Sequence, residues 1–192
     1  MDKVITVFGS AFPTEEEYKI AYKVGEKIGL KGLSLCNGGY FGTMEATARG
    51  CVEMGGKTIG VTVKEFGSTT PNSFIKENII AENLFERLKI LLEKGDAYVV
   101  LPGNTGTLVE LSLVWEYYNK GVSDKIIIVH RFWRDVVKSI EHKKEIFWDL
   151  PHEMDDFIER IVRGKMFVVK DILKGVNLLC DYLKKEGKYP LS

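Results

Sequence analysis

Two charged residues and one glycine-rich segment have the types and spacing that could act on a phosphorylated ligand. The segment 102–107, PGNTGT, ends at Thr107, and Glu110 lies three residues further along the chain. The apolar run 97–101 predicts a buried strand before this segment, and an apolar-periodic helix is predicted after it. Such a turn presents backbone N–H groups and the positive end of a helix dipole. We therefore predict an anion site with a carboxylate one helical turn away.

Glu110 also has a purely structural interpretation. Thr107 and Glu110 have the spacing of a capping box, in which the glutamate only satisfies the first N–H groups of a helix. Local sequence does not choose between this role and a chemical one.

Arg87 is predicted to need an anionic partner from another part of the chain. It lies in a predicted helix, 83–94, beside an apolar inner face formed by Leu84, Leu88, Leu91 and Leu92. No residue three or four positions away carries a carboxylate that could pair with it. An arginine held beside apolar residues needs a negative charge, which either Glu110 or a bound anion would supply.

The elements that must position these residues alternate along the chain. Apolar runs predict strands at 4–8, 33–36, 57–63, 97–101, 125–129 and 166–169. Helices are predicted at 14–30, 43–54, 83–94, 106–119, 132–142, 154–163 and 171–185, and the polar segment 64–72 is predicted to be a mobile loop near the site. Continuous apolar strands between helices are typical of a parallel sheet covered on both faces. The fold class is therefore α/β, a doubly wound, mainly parallel Rossmann-like sheet in a single domain over residues 1–192.

Three predicted strands end in small residues that would meet at one crevice. The first ends in Gly9-Ser10, the second in Gly38-Gly39, and the fourth in Pro102-Gly103. With the usual strand order 3-2-1-4-5, the first and fourth strands flank the point where the order reverses, which is where such sheets bind ligands.

Composition and missing motifs exclude several classes of function. Lysine plus arginine and aspartate plus glutamate number 27 each, so no basic field favours nucleic acid or a membrane surface. Neither an apolar run long enough to span a membrane nor a signal-peptide pattern occurs, and three scattered cysteines fit the cytoplasm. No cysteine has another cysteine or a histidine at the spacing of zinc ligands, and a dinucleotide fingerprint and a Walker loop are also missing. We therefore expect no metal and no bound cofactor.

Four segments together resemble one known family. Gly9-Ser10, residues 37–44 (NGGYFGTM), residues 84–87 (LFER) and residues 102–110 (PGNTGTLVE) follow one another as in the LONELY GUY (LOG) family. The resemblance spans about residues 3–140. Members include cytokinin riboside 5′-monophosphate phosphoribohydrolases, and many have been labelled lysine decarboxylases. The chain departs from the family pattern at Asn37, Thr43, Glu45, Leu88 and Asn104.

The resemblance implies a function and a set of site residues. It implies cleavage of the N-glycosidic bond of AMP or a cytokinin riboside monophosphate by a homodimeric, cofactor-free enzyme. Arg87 and Glu110 match the family's catalytic pair, and Leu84 matches a position that contacts the base. The substrate and its phosphate are expected at Gly9, Ser10, Gly38, Gly39, Gly103, Asn104, Thr105, Gly106 and Thr107.

Other functions are left open by the sequence. One is a non-catalytic nucleotide or molybdenum-cofactor carrier on the same fold, which shares the glycine loops but does not need an arginine–glutamate pair. Lysine decarboxylase chemistry is disfavoured because the glycine loops contain no lysine to carry pyridoxal phosphate. A plain interaction protein has little support from a surface without charge bias.

Overall fold

The computed structural model describes residues 2–140, 158–162 and 165–184. These residues form one sheet of eight strands in the order β4-β3-β2-β1-β5-β6-β8-β7. The strands are β1 Val4–Phe8, β2 Ser34–Asn37, β3 Lys57–Val63, β4 Glu77–Ala81, β5 Ala97–Val100, β6 Ile127–His130, β7 Ile158–Val162 and β8 Met166–Val169. Seven strands run parallel, and β7 pairs antiparallel with β8 at one edge. The predicted order around the first strand is confirmed.

Helices cover both faces of the sheet because successive strand residues point to opposite sides. The helices are α1 Glu15–Leu30, α2 Thr43–Glu53, α3 Leu84–Lys94, α4 Thr105–Asn119, α5 Arg134–Ile140 and α6 Ile172–Lys184. Ile5 and Val99 pack with α1, α2 and α6 in one core, while Phe8 and Val100 pack with α3, α4 and α5 in the other. The predicted doubly wound α/β class is confirmed.

Two segments differ from the prediction. Glu77–Ala81, for which no strand was predicted, forms the edge strand β4, where its short and only partly buried sequence gives a weak apolar signal. The helix predicted over 154–163 is wrong at Ile158–Val162, which pairs with β8 instead. The edge of β8 offers unpaired backbone groups, and pairing with them outweighs local helix propensity. The beginning of that predicted helix lies outside the described residues.

The remaining predicted helices agree within a few residues. The helix predicted over 132–142 begins with a 3-10 turn, Arg131–Trp133, and continues as α5 to Ile140. Its last two predicted residues lie outside the described part. A second 3-10 turn, Lys64–Phe66, starts the polar segment that was predicted to be a loop.

Candidate active site

The segments that follow β1, β2 and β5 lie against one another, at the place where the sequence predicts the ligand crevice. The Ser10 N–H donates to the Pro102 carbonyl at 3.1 Å, which joins the segments that follow β1 and β5. The N–H and hydroxyl of Thr43, at the start of α2, both donate to the Ser10 carbonyl at 2.9 Å. A Cβ at Gly9 would lie 2.5 Å from the Thr43 hydroxyl oxygen, so glycine is what allows this close approach.

The helix that follows the PGNTGT segment has no side-chain cap. Asn104 is the N-cap of α4, yet its side chain accepts no hydrogen bond from the helix. By contrast, Thr14 and Glu17 form a complete capping box on α1, and Asn83 caps α3. The first N–H groups of α4 are therefore available to an anion, and Gly103 to Gly106 are accessible around them.

The capping-box interpretation of Glu110 is wrong. Because α4 begins at Thr105, Thr107 lies inside the first turn and Glu110 lies in the second, beyond reach of the first N–H groups. Thr107 is 4% exposed and packs against Gly103, where a Cβ would overlap the threonine hydroxyl. Glycine at 103 thus leaves room for that hydroxyl beneath the open end of the helix.

Glu110 forms a buried ion pair with Arg87. The Nη1 atom of Arg87 lies 3.9 Å from Oε1 of Glu110, and both side chains are largely buried, at 8% and 12% exposure. Two backbone carbonyls hold the arginine: Nε donates to Val61 at 2.8 Å and Nη2 donates to Gly38 at 3.3 Å. The partner that the sequence required for Arg87 is therefore present.

Burial controls the ionisation of Glu110. Removal of its carboxyl from water raises the pKa of Glu110 to about 7, and the charge on Arg87 opposes that rise. A carboxyl with this pKa changes its protonation state near neutral pH, which suits a group that accepts a proton during a reaction.

Several other predicted site residues have structural partners. The Gly39 N–H donates to the Asn37 side chain at 2.8 Å, and the Gly39 carbonyl accepts from Asn72. The Ser10 hydroxyl accepts from the Phe12 N–H at 2.9 Å. Ligand roles for Gly39 and Ser10 stay predictions.

Leu84 does not belong to the inner face of α3. It is 37% exposed at the first position of the helix, whereas Leu88, Leu91 and Leu92 are buried as predicted. The N–H of Leu84 donates to Glu65 at 2.7 Å, which ties the start of α3 to the segment after β3. An exposed position beside the crevice is compatible with the predicted contact to a base.

Sequence reasoning missed two aromatic residues of the site. The rings of Tyr40 and Phe66 each lie 5.7 Å from the Arg87 guanidinium carbon. Tyr40 stands beside the Gly38-Gly39 pair, and Phe66 is an aromatic residue in an otherwise polar segment. Neither sequence position indicates that the two rings contact an arginine on a helix elsewhere in the chain.

The described residues give no sign of a metal cluster or a membrane span. Within them, no group of three or more histidine, cysteine, aspartate or glutamate residues is arranged to hold a metal ion. None of the described helices is both long and apolar enough to cross a membrane.

Comparison with known proteins decides the family. A family model described as the SLOG cluster4 family matches residues 2–154. The cytokinin riboside 5′-monophosphate phosphoribohydrolase of Mycobacterium tuberculosis is 33% identical over 135 residues, which cover 69% of this chain and 72% of that protein. This chain belongs to the SLOG cluster4 family, and the predicted LOG membership is confirmed.

Two further proteins are similar to this chain, one in sequence and one in structure. The pyrimidine/purine nucleotide 5′-monophosphate nucleosidase of Escherichia coli is 28% identical over 116 residues, or 56% of this chain and 26% of that enzyme. The molybdenum cofactor carrier protein of Chlamydomonas reinhardtii aligns with a TM-score of 0.67 and 20% identity, over 96% of this chain and 99% of that one. The structural similarity shows the shared Rossmann-like fold.

Proposed function

We propose that this LOG-family protein hydrolyses the N-glycosidic bond of a nucleoside 5′-monophosphate, either AMP or a cytokinin riboside monophosphate. The products are the free base and ribose 5-phosphate. The observation that carries the proposal is the buried Arg87–Glu110 pair, which lies beside the uncapped N-terminus of α4. The names of the M. tuberculosis and E. coli relatives, both of which describe action on nucleoside monophosphates, support the same chemistry.

Glu110 acts at the anomeric carbon. Cleavage of the C–N bond sends the electron pair to the base and leaves an oxocarbenium-like ribose, which a nearby carboxylate stabilises. A water molecule adds its oxygen to that carbon, Glu110 accepts the proton that the water loses, and the base takes up a proton from solvent. The raised pKa of Glu110 suits this proton transfer, since a group with a pKa near the working pH accepts and returns protons efficiently.

The phosphate and Arg87 fix the substrate. The open N-terminus of α4 binds the 5′-phosphate through backbone N–H groups from Gly103 to Thr107. Arg87 uses two of its N–H groups on backbone carbonyls, so the others can orient the ribose or phosphate beside Glu110. Holding both ends of the substrate places the scissile bond next to the carboxylate.

The predicted dimer also belongs to this proposal. Side chains of Val109 and Tyr117 on α4 and Phe85 on α3 are 49%, 40% and 85% exposed. The opposite side of α4 is buried in the core through Leu111 and Val114. Exposed apolar side chains on α3 and α4 favour a further buried contact, so a homodimer that covers them is supported.

Composition and thiol burial support the predicted location and the predicted class of partner. Cys36, Cys51 and Cys180 are free, buried thiols, which fits a reducing cytoplasm. The balanced charge supports a small nucleotide, and not nucleic acid, as the partner.

Release of base from AMP by the purified protein, followed by chromatography, tests the function. We expect the Glu110→Gln variant to bind AMP in calorimetry but to lose at least about 100-fold in kcat, since the amide cannot accept the proton. Glu116→Gln is the matched control, because Glu116 lies on the same helix in an exposed pair with Lys120. If the wild-type protein binds AMP but releases no base from AMP or from other nucleoside monophosphates, the protein is a nucleotide carrier; equal turnover by Glu110→Gln would refute the role of Glu110.

A further inference from the structure

The Arg87 guanidinium is held on one side by two aromatic rings that have no assigned role. We propose that Tyr40 and Phe66 are positioning residues that fix the Arg87 guanidinium toward Glu110 and the bound nucleotide. The inference rests on the proposed function, because it assigns these rings a part in the same reaction.

The two rings lie next to each other on the same side of the guanidinium. Each ring centre is 5.7 Å from the guanidinium carbon, and the two ring centres are 6.0 Å apart. Rings on opposite faces of the guanidinium would be separated by nearly twice 5.7 Å. The N–H groups of arginine radiate in the plane of the guanidinium, so aromatic rings that pack beside it leave those donors free for anions.

Arg87 needs such support because its pairing is incomplete. Two backbone carbonyls, those of Val61 and Gly38, accept from it, but Glu110 remains 3.9 Å from Nη1. A direct charge-assisted hydrogen bond would be about 1 Å shorter. The cation is therefore held by the rings and by neutral acceptors, with Glu110 at a longer distance, which leaves N–H donors of Arg87 for a ligand.

The hydroxyl of Tyr40 joins the two rings into one unit. It accepts from the Val63 N–H at 2.9 Å and donates to the Ser68 carbonyl at 3.0 Å, so it bridges both ends of the segment that carries Phe66. Glu65 in the same segment accepts from the Leu84 N–H at the start of α3, the helix of Arg87. Tyr40 thus fixes the position of Phe66 as well as contacting the arginine itself.

The molecule contains a matched pair of rings away from the crevice. Arg49 lies 5.6 Å from the Tyr22 ring and 5.9 Å from the Phe74 ring, in a largely exposed setting. Phe74→Leu therefore removes a ring from an arginine without touching the crevice. It is the control for Phe66→Leu.

The kinetic test compares four variants with AMP as substrate. We expect Phe66→Leu and Tyr40→Leu to lower kcat/KM about tenfold, as the loss of one cation–π contact to a buried guanidinium would. Phe66→Tyr should restore the wild-type value because it retains the ring, and Phe74→Leu should match wild type. The pH profile should also move: a displaced Arg87 no longer opposes the rise in the pKa of Glu110, so the rising limb of kcat/KM shifts to higher pH.

A readout without turnover separates this proposal from the function on which it rests. The Nε–H of Arg87, bonded to Val61, gives an NMR signal in ¹⁵N-arginine-labelled protein that Arg87→Lys identifies by its loss. We expect its hydrogen exchange to be faster in Phe66→Leu and unchanged in Phe74→Leu. Equal exchange in these two variants overturns the positioning role even if base is released. Faster exchange in Phe66→Leu supports the positioning even if the wild-type protein releases no base and the proposed function fails.

Discussion

Two arginine–glutamate pairs in this protein have similar neighbours and opposite environments. Arg49 and Glu53 lie four residues apart on α2, 2.9 Å from each other, with side chains 47% and 38% exposed. Arg87 and Glu110 come from α3 and α4, lie 3.9 Å apart, and are almost fully buried. Each arginine also lies against one tyrosine and one phenylalanine ring.

The two glutamates respond to these environments in opposite directions. A hydrogen bond from Tyr22 and one from Arg49 lower the pKa of Glu53, so that carboxylate is ionised and satisfied. Burial raises the pKa of Glu110 to about 7. We therefore expect the shorter and better-formed pair to be inert in the proposed reaction, because its charges are already neutralised by each other and by water. The longer, buried pair keeps unused bonding capacity, which is what a reaction needs.

The largest difference in activity between the two pairs is expected when the arginine of each pair is replaced by alanine. Arg87→Ala should lower kcat/KM by at least about 100-fold and reduce thermal stability, because it leaves a buried carboxyl without its cation. Arg49→Ala should leave kcat/KM and the melting temperature close to wild type. Steady-state assays with AMP and thermal melts check both. Equal activity of the two variants would remove the functional distinction between the pairs.

A smaller effect is expected from displacing Arg87 without removing it. A Cβ at Gly38 would overlap Nη2 of Arg87, which is the movable end of a long side chain. Gly38→Ala should therefore keep the fold while lowering kcat/KM by tens of fold, on the order expected for misplacement of a catalytic group by about 1 Å. A crystal structure of the Gly38→Ala variant should show the Arg87 guanidinium displaced. Full activity with a shifted guanidinium would show that the position of Arg87 is unimportant.

The smallest effect concerns pH. If Glu110 must be ionised to act, kcat/KM should rise about tenfold between pH 6 and pH 8 as the group titrates near 7. The 5′-phosphate of AMP titrates near 6, about one pH unit lower, so the two inflections are separable. Folding stability should change in the other direction: the folded-state pKa of Glu110 is raised above its unfolded value of 4.5, so its contribution is greatest below pH 4.5 and falls as pH rises to about 7.

Thermal melts of wild type and Glu110→Gln between pH 4 and pH 8 measure the contribution of Glu110 to folding stability. The wild-type protein should lose stability relative to the variant as pH rises through this window. Parallel curves for the two proteins would show that Glu110 is not buried as described. Glu53→Gln should lack such a trend, since its carboxyl is exposed and ionised throughout most of the range.

Much of the fold and part of the site were predictable from the sequence. Five predicted strands occupy the predicted order around β1, because continuous apolar runs between helices specify a parallel sheet. The strand β4 was missed because it lies at an edge, where partial exposure weakens the apolar pattern. The segment Ile158–Val162 was misassigned because its extended form depends on pairing with β8, which no local pattern encodes.

Sequence by itself determined the candidates: a glycine-rich segment before a helix, a glutamate one turn further, and an arginine without a partner on its own helix. Tertiary structure alone decided how they combine. It placed Glu110 against Arg87, ruled out the capping box by starting α4 at Thr105, and brought the Tyr40 and Phe66 rings to the guanidinium. Local patterns encode backbone conformation over a few residues, whereas burial, and with it the pKa of Glu110, arises only when distant segments exclude water together.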